Sequence, residues 1–141
     1  MKVPYYKQEF PWSCFPTCIR MVLEYHGIKK EEKELRLLLK ATFGGWWYYV
    51  EMGLESIGLH FYWLEGFSLD KLEELIKNET PVIVSLKISD HPNHTAVVTD
   101  ITDEFVALHD PEKGADIQIS TKPFLKAWNK RKNIAGYLKK I

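Results

Sequence analysis

The sequence has no excess of either charge. Its 141 residues carry 19 Lys and Arg against 19 Asp and Glu, which argues against bulk electrostatic capture of nucleic acid or of an anionic membrane. Long hydrophobic runs are missing as well. No stretch approaches the ~18 uninterrupted apolar residues of a membrane span. The opening Met1-Lys2-Val3-Pro4-Tyr5-Tyr6 has no apolar run followed by small residues, so no signal peptide is expected and nothing is expected to insert in a membrane. Cysteine is scarce, with Cys14 and Cys18 only. Four apart at the start of a helical pattern, they point the same general way with their α-carbons near the limit of disulfide reach. Two free thiols and a reducing, cytoplasmic setting follow. Repeats, low-complexity tracts and Pro/Gly/Ser-rich linkers are also absent, so residues 1–141 read as a single domain. A chain of this length buries roughly 70% of its unfolded surface and needs no disulfide or metal staple.

What the chain does have is aromatic residues, five Trp, seven Tyr and seven Phe, enough both to fill a core and to line a groove. Its patterning changes along the length. Cys14 to Tyr25 has helical spacing, with Ser13 as N-cap and Gly27 as stop. Further helices are expected over Glu31–Lys40, over Trp46–Ile57 after the Gly44-Gly45 break, and over Ser68–Lys77, with a strand at Leu59–Leu64 between the last two. The second half is rich in β-branched residues. Strands are expected at Pro81–Lys87, His94–Ile101, Glu104–His109, Ile117–Ile119 and Ile134–Lys139, and a helix at Thr121–Asn129. Asp90-His91-Pro92-Asn93, Thr102-Asp103 and Asp110-Pro111-Glu112-Lys113-Gly114 read as turns. Helices followed by antiparallel strands give an α+β fold, N-terminal helices packed on a C-terminal antiparallel sheet, with a cleft expected where the two halves meet.

Cys14 stands in the first turn of the first helix. Unpaired backbone N–H groups and the positive end of the helix dipole both favour a thiolate there. Most free cysteines are small buried hydrophobes, so position alone leaves Cys14 open between packing and nucleophile. Cys18, one turn deeper on the apolar face, reads as packing. Of the five histidines, His94 opens the most strand-like run in the sequence, His91 lies in a polar turn, and His26 ends the first helix, where a cation suits the dipole. His60 and His109 have no evident role, and taken singly each of the five is more often structural than catalytic. A catalytic imidazole needs an acceptor on its second nitrogen. A hairpin through Thr102-Asp103 brings its outer ends together, and His94 and Asp110, sixteen residues apart, are those ends. Asp110-Pro111 also suffices as a simple turn signal. Gln8, six residues before Cys14, offers a side-chain amide to a developing oxyanion, though alone it is an ordinary polar residue.

Together these residues carry a resemblance. Val3-Pro4-Tyr5-Tyr6-Lys7-Gln8, then Trp12-Ser13-Cys14-Phe15-Pro16-Thr17-Cys18, then Met21-Val22-Leu23-Glu24-Tyr25-His26-Gly27 resemble the start of the double-glycine-leader (bacteriocin-processing) peptidases and their stand-alone relatives. Pro81-Val82-Ile83-Val84, His94-Thr95-Ala96-Val97-Val98-Thr99, Asp110-Pro111-Glu112-Lys113-Gly114 and Phe124-Leu125-Lys126-Ala127-Trp128 look like that family's later segments. The resemblance covers nearly the whole chain. It implies a papain-like fold with Cys14 as nucleophile, His94 as base, Asp110 as the residue orienting it and Gln8 in the oxyanion hole. It implies a thiol protease acting on a peptide or protein substrate, with leader peptides or a transporter as conceivable partners, and no cofactor or metal. One departure is Phe15, where relatives usually have Gly, which gives a substrate backbone room to approach.

Trp12, Phe15, Trp46 and Trp47, with Tyr48, are candidates for an aromatic wall along an extended peptide, or equally for core. Two rival readings accompany the peptidase. In one, the fold is a peptide-binding domain whose turnover Phe15 blocks. In the other, Cys14, Cys18, His91, His94 or Asp110 hold a metal; no Cys-x-x-Cys or His-Glu-x-x-His pattern supports that, and it ranks last.

Overall fold

The structure, a computed structural model, describes residues 1–40, 47–88 and 91–141, the side chains of residues 47, 48, 91 and 92 excepted. Trp46 and the Gly44-Gly45 break therefore lie outside the described residues, as do the side chains of Trp47, Tyr48 and His91. Elements run α1 (Cys14–Tyr25), α2 (Glu32–Leu38), α3 (Trp47–Glu55), β1 (Leu59–Leu64), α4 (Leu69–Lys77), β2 (Val82–Ile88), β3 (His91–Ile101), β4 (Phe105–Asp110), β5 (Gly114–Ser120), α5 (Thr121–Asn129) and β6 (Ala135–Lys140).

The six strands form one antiparallel sheet in the order β1-β6-β2-β3-β4-β5. Alternation along its central strands sends side chains to two separate cores. Ile83, Val97 and Leu138 join Cys18, Ile19, Val22 and Leu23 of α1 and Leu35 of α2. Val82, Val84, Ala96, Val98 and Leu108 join Leu72 and Ile76 of α4 and Phe124 and Trp128 of α5. Helices thus cover both faces, and α4 and α5 pack on the face opposite the three N-terminal helices. Each fully buried aliphatic side chain in these layers contributes about 1.5–3 kcal/mol. The sheet is therefore a stiff platform for anything carried at its strand ends.

Local chemistry explains the boundaries. Glu31 and Glu34 form a reciprocal capping box that starts α2. The Ser68 hydroxyl accepts from the Lys71 N–H at 3.0 Å and starts α4. Ser13 precedes α1 but does not cap it with its side chain. Its hydroxyl turns back to the Phe10 carbonyl at 3.0 Å and to the Glu32 carboxylate at 3.3 Å. The segment His91–Asn93, expected as turn, belongs to β3, because Ile88 pairs with His91 and extends the ladder. The N-terminal segment joins no strand, yet it is tied to the sheet. The Val3 carbonyl accepts from His109 Nε2 at 2.7 Å, and the Gln8 N–H donates to the Pro111 carbonyl at 2.8 Å.

Candidate active site

α1 delivers Cys14 in its first turn. Pro16 is tolerated there because N–H groups at a helix start have no intrahelical partner to lose. No acidic residue stands in that turn to oppose a thiolate. Both cysteines are free thiols, Cys14 partly exposed and Cys18 fully buried.

β3 and β4 supply the rest. Their register runs Val97 to His109, so Asp110, one residue further, arrives beside the start of β3. His94 and Asp110 are both buried, 2% and 5% exposed, and His94 Nε2 lies 2.9 Å from Asp110 Oδ1. A carboxylate only accepts, so Nε2 carries the proton and Nδ1 is left for the thiol. Asp110 Oδ1 also accepts from the Glu112 and Lys113 N–H groups at 2.9 and 3.1 Å. The Asp110-Pro111 turn and the imidazole contact thus coexist in one side chain.

The Cys14 thiol is hydrogen-bonded to the His94 side chain and to the side chain and backbone of Thr95. Burial pushes its pKa up, but those bonds and the charge on His94 outweigh it, and the pKa falls below the ordinary thiol value. Burial pulls His94 down, whereas its bonds to Asp110 and Cys14 and their charges raise it, and the imidazole is pushed up to about 9. Asp110, lifted by burial, is lowered on balance by its bonds to His94 and to the turn amides. Three neighbouring groups therefore favour their charged forms together. Cys18 contrasts with this. Burial first, then the charge of Cys14, push its thiol well above the ordinary value, and its sulfur rests 3.7 Å from the Thr95 hydroxyl.

The Gln8 Nε2 donates to the Phe10 carbonyl at 2.9 Å. An amide has a second N–H to offer. Phe15 turns its ring onto β1, 6.0 Å from Phe61 and 5.7 Å from Trp63 between centroids. Room for those rings comes from Gly136, the register partner of Trp63, where an added Cβ would lie 2.6 Å from Trp63. Trp12 goes elsewhere and stacks on Phe10 at 5.4 Å. Among the other histidines, His109 accepts from the Asp116 N–H on Nδ1 at 3.1 Å and donates to Val3, a structural role. His26 caps the end of α1, and burial and then Lys140 lower its pKa. The described residues gather no group of three or more His, Cys, Asp or Glu placed to hold a metal.

Sequence reasoning did not find four contributors. Thr95 bonds the Cys14 sulfur; its only signal was adjacency to His94. The Tyr5 hydroxyl donates to the Asp110 carbonyl at 2.7 Å. Glu32, fully buried, accepts from Thr17 Oγ1 at 2.6 Å, from the Glu9 N–H at 2.9 Å and from Arg36. It ties the loop ahead of Cys14 to α1 and α2. Arg131, after α5, donates from Nε to Ser85 Oγ at 3.0 Å. Nothing local in the sequence marks the last three.

Solved structures share this fold. The peptidase domain of Streptococcus ComA, a bifunctional ABC transporter of a quorum-sensing pathway, superposes with a TM-score of 0.82 at 18% identity, covering 99% of this chain and 100% of that one. A C39-like peptidase from Bacillus anthracis gives 0.80 at 17% identity, covering 99% and 96%. A double-glycine-motif protease of an AMS/PCAT transporter, solved with its leader peptide, gives 0.80 at 21% identity, covering 99% and 93%. No curated protein matches the chain. The architecture is that of the papain-like C39 peptidase domains, and among the described residues no helix is long and apolar enough to cross a membrane. Residues 1–136 match the Peptidase_C39 like family, and the chain belongs to it.

Proposed function

We propose that this protein is a cysteine peptidase in which Cys14 attacks a peptide carbonyl, His94 carries the proton and Asp110 holds His94. The observation that carries this reading is the run of contacts from the Cys14 thiol to His94 and from His94 Nε2 to Asp110 at 2.9 Å. The lowered thiol and the imidazole raised to about 9 both favour a thiolate–imidazolium pair as the resting form.

The thiolate sulfur bonds to the carbonyl carbon, and the carbonyl π electrons move onto oxygen. In this reading the Cys14 N–H and the second N–H of Gln8 hold that oxyanion. As the tetrahedral intermediate collapses, the C–N bond breaks and the imidazolium gives its proton to the leaving amine. A water, deprotonated by the now neutral His94, attacks the thioester, and collapse releases the acid and restores the thiolate–imidazolium pair. Asp110 keeps Nε2 protonated throughout, so Nδ1 is the nitrogen that trades protons.

The substrate is a peptide, with leader segments one candidate class, since a relative of the same fold was solved with its leader peptide. A nucleophile that works as a free thiol suits a reducing compartment such as the cytoplasm. The rival inactive reading rests on Phe15 crowding the sulfur; the packing of that ring on Phe61 and Trp63 favours the peptidase reading. The test is a peptide library incubated with the wild type and with C14A, with products and covalent adducts read by mass spectrometry. Wild-type cleavage through a thioester on Cys14, lost in C14A, is expected. Binding with neither product nor adduct would replace the peptidase by a peptide receptor.

A further inference from the structure

Beside the candidate nucleophile lies a pocket of about 180 Å³ whose lining divides by chemistry. Phe15 and Trp63 give it an apolar wall, and Ser85, Asn93, Thr95 and Arg131 a polar one. Two of these residues fix its place. Phe15 follows Cys14 in the chain, and Thr95 hydrogen-bonds the Cys14 sulfur. The pocket is therefore lined by the two residues that adjoin Cys14 in chain and in hydrogen bonding, and it has room for about one side chain.

Arg131 is set in this pocket by its surroundings. Its N–H donates to the Trp128 carbonyl at 2.9 Å and its carbonyl accepts from Ile134, which fix the backbone after α5. Its Nε is committed to the hydroxyl of Ser85, a buried residue of β2. The fork of terminal N–H groups is then oriented but has no partner among the described residues. Among the described residues no carboxylate lines the pocket. A pre-oriented guanidinium facing a half-apolar cavity without a counter-charge is a receptor for a carboxylate, which it binds with two parallel hydrogen bonds.

We infer that Arg131 selects substrates carrying an acidic side chain, Asp or Glu, next to the scissile bond, with the methylenes against Phe15 and Trp63 and the carboxylate on the guanidinium. This deepens the peptidase reading and rests on it for the identity of the scissile bond. Charge-assisted hydrogen bonds of this kind correspond to about a tenfold or greater preference.

The probe is a diverse synthetic peptide library with both ends blocked, cleaved by wild type, R131K, R131Q and R131E. Thermal melting and the alkylation rate of Cys14 are followed in each variant to show an intact fold and thiol. Wild type should cleave peptides enriched at least tenfold in Asp or Glu at one position flanking the cut. R131K should keep part of that preference, R131Q should lose it and R131E should shift it toward Lys and Arg. An unchanged residue preference in folded R131Q and R131E overturns the inference, as does enrichment that appears only with free C-termini, which would assign the guanidinium to a chain end. Capture of the same library on C14A with and without R131E reads the charge preference independently of turnover. If capture is charge-selective but nothing is cleaved, the hydrolase reading fails and the pocket assignment stands. If cleavage occurs without charge selection, the reverse holds.

Discussion

Replacing Asp110 with Asn probes the coupling of the site with little disturbance of the fold. Asp110 Oδ1 accepts from His94 Nε2 and from the Glu112 and Lys113 N–H groups. The Asn amide oxygen can keep all three acceptances, and Asn starts the same kind of turn. What disappears is the charge. A hydrogen bond to a charged partner contributes about 1.5–3 kcal/mol, and each pKa unit is about 1.4 kcal/mol, so the His94 imidazole should fall from about 9 to roughly 7–8. The sign follows from linkage. His94 is raised above its ordinary 6.5, so its contribution to stability is complete below that value and is lost as pH rises through about 9. In D110N the alkaline loss should begin at lower pH. Asp110 is lowered, so its own contribution is present above the ordinary carboxylate range and lost as pH falls through its folded value; D110N should lack that acid limb. Titration of nitrogen-labelled histidine by NMR, with denaturant unfolding across the same pH range, reads both effects. An unshifted His94 titration in folded D110N would refute the reasoning, because Asp110 would then not be what holds the imidazolium.

Glu32→Ala should cost about 2–4 kcal/mol in denaturant unfolding, since it leaves the Thr17 hydroxyl and the Glu9 N–H without their acceptor while half-buried Arg36 keeps Glu9 as an ion partner; a loss under 1 kcal/mol would mean that water replaces the carboxylate. Phe15→Ala should lower stability by about 1–3 kcal/mol through lost packing on Phe61 and Trp63, with the Cys14 alkylation rate changed less than about threefold; a large gain in rate would show that the ring shields the sulfur. Gly136→Ala forces the Phe61 and Trp63 rings to move and should cost about 1–3 kcal/mol, read by melting and by Trp fluorescence.

Much of the architecture is legible in the sequence because local chemistry and tertiary demand agree. α1, α5 and β1 occupy the residues their periodicity and turns indicate, and the β-branched runs of β2 and β3 are the buried centre of the sheet. The hairpin argument for His94 and Asp110 holds because antiparallel topology alone brings those strand ends together. Less was readable where the partner is remote in sequence. Glu32 looks like one charge among many on a helix, and only the approach of the loop before Cys14 makes it a buried acceptor. Ser13 has the right residue type for a cap, but that same acceptor and Phe10 claim its hydroxyl. The second helical layer was hidden for a related reason. An amphipathic stripe on α4 or α5 says that one face is buried, and not which side of the sheet buries it.

The most direct test of the central claim is the rate of Cys14 alkylation by iodoacetamide as a function of pH, with each cysteine quantified by mass spectrometry. A thiolate held by His94 predicts that Cys14 reacts faster than a simple thiol at neutral pH, stays reactive into mildly acidic solution, and leaves buried Cys18 unmodified. A Cys14 that reacts no faster than a simple thiol, with a rate rising only through the ordinary thiol range, would contradict the account.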